Sequence, residues 1–320
     1  MKIHLYLKDF RPTEKAESGM EKAIAGLAAG LAANGIEANL LCESDADLTI
    51  PSPDGYTIRS FKNVLKRRHL HLAPGLQEYA RAQIGKDSLV ILNAIFHPSV
   101  ARFAALLRRL KRPYVISPHD PYHPTIFIKN AKMKWPYWYF VERPMLRKAA
   151  AVQVLDPRHE QYLADRGVQT KVIAVGLGVT PHEVPPPSSI SFNGEGPAKL
   201  LFLGRIETIN KGLDLLIDAF DGVASQHDAV LTIQGPNLGD LDLLKAKAAR
   251  KFASSRITFL PPDFTATASQ IIARHDLFVL PSRFEGFSFA AMEAMLAARP
   301  VIITDIAGLS PHIRAANAGM

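Results

Sequence analysis

The sequence predicts an α/β protein of two doubly wound domains in tandem, facing each other across a cleft. Three observations predict it. Short apolar strands alternate with helical segments along nearly the whole chain. At 320 residues the chain is long for a single core. A Pro-, Ser- and Gly-rich stretch, residues 178–198, interrupts the alternation once, after which it restarts.

In chain order, "KIHLYL" reads as a buried strand and "GMEKAIAGLAAGLAANG" as an Ala-rich helix ending at Gly35. "IEANLLCE" is a second strand. "SLVILNA" and "PYVISPH" are strands separated by the helical "SVARFAALLRRLKR", and "AAVQVLD" and "TKVIAVG" close the first half. After the prolines, strands are expected at "AKLLFLGR", "AVLTIQG", "RITFLPP", "DLFVLPS" and "PVIITD". Helices are expected between them at "GLDLLIDAFDGVASQ", "DLDLLKAKAARKF", "ATASQIIARH" and "FAAMEAMLAA". The expected domains are residues 1–177 and 199–320, with a linker over 178–198.

Composition narrows the class. A hydrophobic fraction of 48% with 21% charged residues belongs to a globular chain, not a disordered one. The single cysteine, Cys42, cannot form an internal disulfide, which suits a reducing compartment. "MKIHLYLKDF" is too soon interrupted by charge for a secretory leader, and no window reaches the roughly 20 apolar residues of a membrane span. A cytoplasmic location is expected. Charge is uneven: residues 1–183 carry 26 Lys+Arg against 17 Asp+Glu, and residues 184–320 carry 12 against 13. A basic first half points to an acidic partner there.

Open α/β sheets bind ligands at the carboxyl ends of their strands, so chemistry is sought where a strand gives way to a helix. In "FLGRIETINKG", Arg205 follows a strand and Lys211 precedes a helix. They suit an anion, or are two solvated surface charges. In "LFVLPSRFEGFSFAAMEAMLAARPVIITD", Glu285 and Gly286 occupy a strand-end loop, and the helix starting near Phe287 offers free N–H groups for phosphate. Glu293 lies eight residues after Glu285, roughly 80° out of phase on a helix, so the two are no simple helical-face pair. Glu293 reaches a ligand from the helix, or flanks a Phe289, Met292, Leu296 core stripe.

"GRIETINKG" followed by "EGFSFAAMEAM" resembles the paired motifs of the retaining glycosyltransferases of family 4, which have two Rossmann-like domains (the GT-B architecture). "PYVISPH" and "AAAVQVLDPRHEQYLADRG" extend the resemblance. It implies that Arg205 and Lys211 hold the diphosphate of a UDP- or GDP-sugar, that Glu285 binds the donor sugar and that Glu293 binds the ribose. The backbone of Phe287, Ser288 and Phe289 would cap the phosphates. In the first domain, Gly19 of "ESGMEKA" occupies the family's glycine-loop position, as Ser18-Gly19 instead of the usual glycine pair. His119, at the end of "YVISPH", matches the family's histidine near donor sugar and acceptor, and His97 is a further acceptor-side candidate. Relatives continue past the position of Met320, so the second domain is expected to be incomplete.

The implied function is transfer of a sugar, with retention, to a hydroxyl of a glycan or lipid-linked acceptor, with closure of the two domains over the reacting groups. The alternative is a catalytically weak homologue that binds nucleotide or glycan as a partner subunit. No metal or other cofactor is expected. "DAD" (45–47) and "DLD" (240–242) match a metal-binding triplet only formally, and His119 with His123 and Asp120 lacks a fuller ligand set. Two basic segments, "KNVLKRRHLHL" (62–72) and "KNAKMKWPYWYF" (129–140), suit an anionic membrane surface, although Pro136 argues against one long helix there. No nucleic-acid module is recognised.

Overall fold

The computed structural model describes residues 1–14, 18–119, 122–128, 130–178 and 195–320. Most of the expected linker, residues 179–194, lies outside them. The chain divides into two compact units, Met1–Thr180 and Pro181–Met320.

The first unit is built on one sheet. Its strands are β1 (Lys2–Tyr6), β2 (Glu37–Ser44), β3 (Leu48–Pro51), β4 (Thr57–Lys62), β5 (Ser88–Asn93), β6 (Tyr114–Ser117), β7 (Ala151–Val154) and β8 (Val172–Ala174). Their order is β3-β4-β2-β1-β5-β6-β7-β8. All pairs are parallel except β3 with β4, which form an antiparallel hairpin. Successive strand residues point to opposite faces, so a sheet covered on both sides needs near-continuous apolar runs. Here Tyr6, Leu41, Val90, Leu92 and Ile116 enter one core with Phe103, Trp138 and Leu146. Leu5, Leu40, Cys42, Ile91 and Val115 enter the opposite core with Ile24 and Ala28.

The helix Gly19–Ala33 covers that second face. Ser18 starts it with a capping box: its hydroxyl accepts from Glu21 N–H while the Glu21 carboxylate accepts from Ser18 N–H. The aromatic segment is helical throughout, as Ala131–Tyr137, a π turn Trp138–Glu142 and Arg143–Arg147. Pro136 does not break it, contrary to the sequence expectation. The turn beyond the proline is widened, with Arg143 N–H reaching back to Trp138 O, and a wide turn absorbs the distortion a proline imposes.

The second unit holds β9 (Ala198–Leu203), β10 (Ala229–Gln234), β11 (Ile257–Leu260), β12 (Leu277–Leu280) and β13 (Val301–Ile303), all parallel in the order β11-β10-β9-β12-β13. Beyond β13, a short helix Ser310–Ala315 returns the chain so that Val301 N–H and Ile303 N–H donate to Ala318 O and Met320 O. A further edge pairing therefore begins where the sequence pattern no longer reads as strand.

Candidate functional site

In each sheet the order of strands reverses once, and the crevice at the carboxyl ends of the two strands flanking that reversal is where such folds receive ligands. In the second unit these strands are β9 and β12. Arg205 follows β9, and the loop from Ser282 to Ser288 follows β12. Lys211 closes the one-turn helix Thr208–Lys211, and its Nζ forms an ion pair with Glu285 Oε2, the two side chains being only 13% and 15% exposed. Ser282 Oγ donates to the same carboxylate oxygen at 3.3 Å. Arg205 is exposed and has no side-chain partner among the described residues.

The two loops are locked to each other. Arg283 grips Asp214 with two parallel bonds of 2.7 Å, and its Nη1 also donates to Thr208 O at 2.9 Å. This pairing holds the Asp214 carboxyl below its usual range. Arg283 N–H donates to Asn210 O at 2.8 Å. Close backbone approach depends on two glycines. A Cβ on Gly212, whose φ is +63°, would lie 2.2 Å from Pro281 O, and one on Gly308 would lie 2.1 Å from Gly286 O.

Ser288, buried, caps the helix Phe289–Leu296 by accepting from Ala291 N–H at 3.2 Å. Phe287 is buried with its ring 6.0 Å from His312, and Gly286 is buried beside it. Phe289 and Glu293 are half-buried in the first and second turns of the helix. The structure thus brings Lys211 and Glu285 into contact and sets Arg205, Gly286, Phe287, Ser288, Phe289 and Glu293 on loops and a helix at the same edge of the sheet. Asp240 of the "DLD" triplet is engaged structurally, its Oδ2 accepting from Thr208 N–H at 2.7 Å.

In the first unit the reversal lies between β1 and β5. His97, following β5, bonds Ser99 Oγ through Nδ1 at 2.7 Å, and its Nε2 lies 3.6 Å from Asp9 Oδ2, which follows β1. His119 stands two residues beyond β6 with φ +59°. Its Nε2 meets Asn93 Oδ1 at 2.9 Å. Asn93 Nδ2 donates to Tyr6 O and Ile91 O, so Oδ1 is the acceptor, Nε2 carries the hydrogen and Nδ1 keeps a free lone pair; this tautomer follows from the bonding pattern. Although the residue is partly accessible, its ring lies deep enough that burial lowers its pKa to about 4, so it is neutral at pH 7. Gly19 is not in a loop: it is the exposed first residue of its helix, and residues 15–17 before it lie outside the described residues. So does Asp120; His123 bonds Thr125 Oγ1 at 2.8 Å. Among the described residues no group of three or more His, Cys, Asp or Glu side chains is gathered as a metal set would be.

Two features escaped the sequence. A pocket of about 310 Å³ opens at the carboxyl ends of β1, β2 and β4, lined by Lys8, Asp9, Glu43, Ser44, Asp45, Asn63 and Arg68. Its floor is a buried network: Glu43 accepts from Tyr6 Oη at 2.7 Å, Lys8 Nζ at 2.6 Å and Ala73 N–H at 3.2 Å, and from Asn63 Nδ2. The second feature is Glu142 in the π turn. It accepts from Phe96 N–H at 3.1 Å and from Tyr122 Oη at 2.7 Å, and its other oxygen is buried with no partner. Burial raises its pKa to about 7. Ala94, Phe96, His119 and Tyr122 all have positive φ, so strained backbone gathers in the loops that carry the two histidines. The sequence signal for Glu142 is a lone acid four residues after Trp138, on the helical face that a buried tryptophan turns inward.

A family model for a glycosyl transferase 4-like domain matches residues 18–178, half of the chain, and one for glycosyl transferases group 1 matches residues 197–320. The chain belongs to the group 1, family 4-type glycosyltransferases. Within the family it is 30% identical over 172 residues to a D-inositol 3-phosphate glycosyltransferase of Rhodococcus erythropolis. That match covers 51% of the chain and 38% of the relative's length. It is 34% identical over 126 residues to a mannosylfructose-phosphate synthase of Agrobacterium fabrum, covering 37% of the chain and 27% of that protein. The fold agrees with the GT-B glycosyltransferases. A sucrose-phosphate synthase from Thermosynechococcus elongatus superposes with a TM-score of 0.74 at 17% identity, covering 100% of this chain and 85% of that one. An Anabaena protein, HepE, in complex with UDP and glucose superposes with a TM-score of 0.66 at 19% identity, covering 97% and 82%.

Proposed function

We propose that the chain is a retaining glycosyltransferase that moves a sugar from a UDP- or GDP-sugar to a hydroxyl of a glycan or lipid-linked acceptor, without a metal ion. The observation that carries this reading is the Lys211–Glu285 pair across the strand reversal of the second sheet, beside the unpartnered Arg205. A carboxylate and an ammonium held this way already have partners, and an incoming nucleotide-sugar offers each a better one. Lys211 passes to the diphosphate and joins Arg205, while Glu285 is released to accept from sugar hydroxyls. Glu293 takes the ribose hydroxyls, and the backbone from Phe287 to Phe289 faces the phosphates.

The two cations, Arg205 and Lys211, stabilise the charge that develops on the departing diphosphate, the task a divalent ion would otherwise perform. The acceptor hydroxyl attacks the anomeric carbon from the face the diphosphate leaves, and its proton passes to the leaving phosphate oxygen, so configuration is retained. Neutral His119, with its Nδ1 lone pair, accepts from a sugar hydroxyl and does not act as a nucleophile. On the acceptor side the pocket over Glu43 combines Ser, Asn, carboxylate and cationic groups, a lining that suits a polyhydroxylated ligand.

Slow donor hydrolysis tests the mechanism without knowledge of the acceptor. With an α-linked UDP- or GDP-sugar, proton NMR should show the α anomer of the free sugar first, at a rate unchanged by EDTA. A β anomer first would overturn retention, and loss of activity in EDTA would overturn metal independence.

A further inference from the structure

The helical run from Ala131 to Arg147 buries one side in the first unit's core, through Trp138, Met145 and Leu146. The other side is not the polar face that a globular helix normally shows to water. Met133 is 76% exposed, Phe140 82% and Tyr139 54%, with Ile128 just ahead of the run at 68%. Lys132, Pro136 and Phe140 follow one another at four-residue intervals, the spacing of one helix face, and all three are exposed. Trp135, partly exposed, stacks between Phe127 at 4.5 Å and Tyr139 at 5.9 Å, so the aromatic patch is braced from below.

The exposed charges carried by this segment have one sign. From residue 122 to residue 150 the only acid is Glu142, which is 1% exposed. Lys132, Arg147 and Lys148 are exposed and have no carboxylate partner among the described residues. A second stretch of the same unit repeats the pattern: Val64 is 70% and Leu65 41% exposed, beside exposed Lys62, Lys66 and Arg67.

We propose that this face of the first unit docks on an anionic lipid bilayer, with Met133, Tyr139 and Phe140 entering the headgroup–acyl boundary and Lys132, Arg147 and Lys148 lying among the headgroups. A bilayer is the occupant that meets both halves of the pattern. Its apolar interior accepts flexible and aromatic side chains without demanding a shaped groove, and its anionic headgroups answer uncompensated cations. The inference uses no residue of the proposed donor site, so it stands or falls independently of the proposed reaction.

The test is sedimentation of the full chain with vesicles of phosphatidylcholine alone and of a phosphatidylcholine–phosphatidylglycerol mixture. Binding is expected with the mixture only, falling at high salt, together with a blue shift of tryptophan emission from Trp135. Met133→Ser with Phe140→Ser, and separately Lys132→Glu with Arg147→Glu and Lys148→Glu, should each weaken binding by about tenfold or more, with circular dichroism and melting unchanged. Absence of binding by the unaltered chain to the anionic mixture would overturn the proposal, whatever the variants do. So would undiminished binding by the folded Met133→Ser/Phe140→Ser chain. A dimer in sedimentation velocity that this double change dissolves, without lipid binding, would assign the face to a second copy instead.

Discussion

Glu142 ties two loops of the first unit together from inside its core. Its Oε1 is the common acceptor for the Phe96 amide and the Tyr122 hydroxyl, one from each histidine-bearing loop. Both donors bind an ionised carboxylate more strongly than a neutral one. With its pKa raised to about 7, ionisation falls within the working range, so kcat/KM for the proposed reaction should rise through pH 7. Glu142→Gln should remove that limb while leaving the melting temperature nearly unchanged at low pH, where Glu142 itself is neutral. A limb that persists in the variant would assign it to another group. This residue was the least legible from sequence, because nothing in "WYFVER" tells which loops its carboxylate meets. Arg205, Lys211 and Glu285 are placed near strand ends by the sequence pattern and Glu293 on the helix that follows, while their roles rest on the family resemblance; the contact between Lys211 and Glu285 spans 74 positions and needed the fold.

At the level of elements, strands buried on both faces were read directly from their apolar runs, as with β1, β2 and β5. The hairpin of β3 and β4 was not, because the edge strand "LTIP" and its neighbour "TIRSFK" carry half-exposed mixed residues that lack the continuous apolar signal. The helix at 131–147 was judged too interrupted by Pro136, and the π turn that accommodates it has no sequence pattern of its own. The locked loops of the second unit predict opposite outcomes for two glycines. Gly212→Ala must displace Pro281 O or its own left-handed backbone and should cost about 2 kcal/mol or more. Gly222→Ala, in the interior of the helix Leu213–Ala224 with open space around it, should gain up to about 1 kcal/mol. Urea denaturation of both variants checks the contrast; equal effects would contradict the packing described for the loops.

Over the whole molecule, buried histidines set the response to acid. His4, His119 and His159, all in the first unit, have pKa values lowered to about 4, burial being the main cause. A histidine near 6.5 when unfolded and near 4 when folded stabilises the fold above 6.5, and that contribution is lost as pH falls toward 4. Glu142, raised from 4.5, works in the opposite sense, since its contribution is lost as pH rises through 7. The histidines outnumber it, so the first unit should lose on the order of several kcal/mol between pH 6.5 and 4. Both tryptophans, Trp135 and Trp138, lie in that unit, so tryptophan fluorescence reports its melting alone. A melting temperature unchanged across this range would contradict the burial of these rings.

The most direct test of the donor site is calorimetric titration of the chain with UDP and with GDP, repeated with Arg205→Ala and Glu293→Ala. One saturable site for one of the two nucleotides is expected, weakened by about tenfold or more in each variant, since each removes a hydrogen-bonded group from the ligand. A folded chain that binds neither nucleotide, or binds one unaffected by both changes, would contradict the placement of the donor at the ends of β9 and β12.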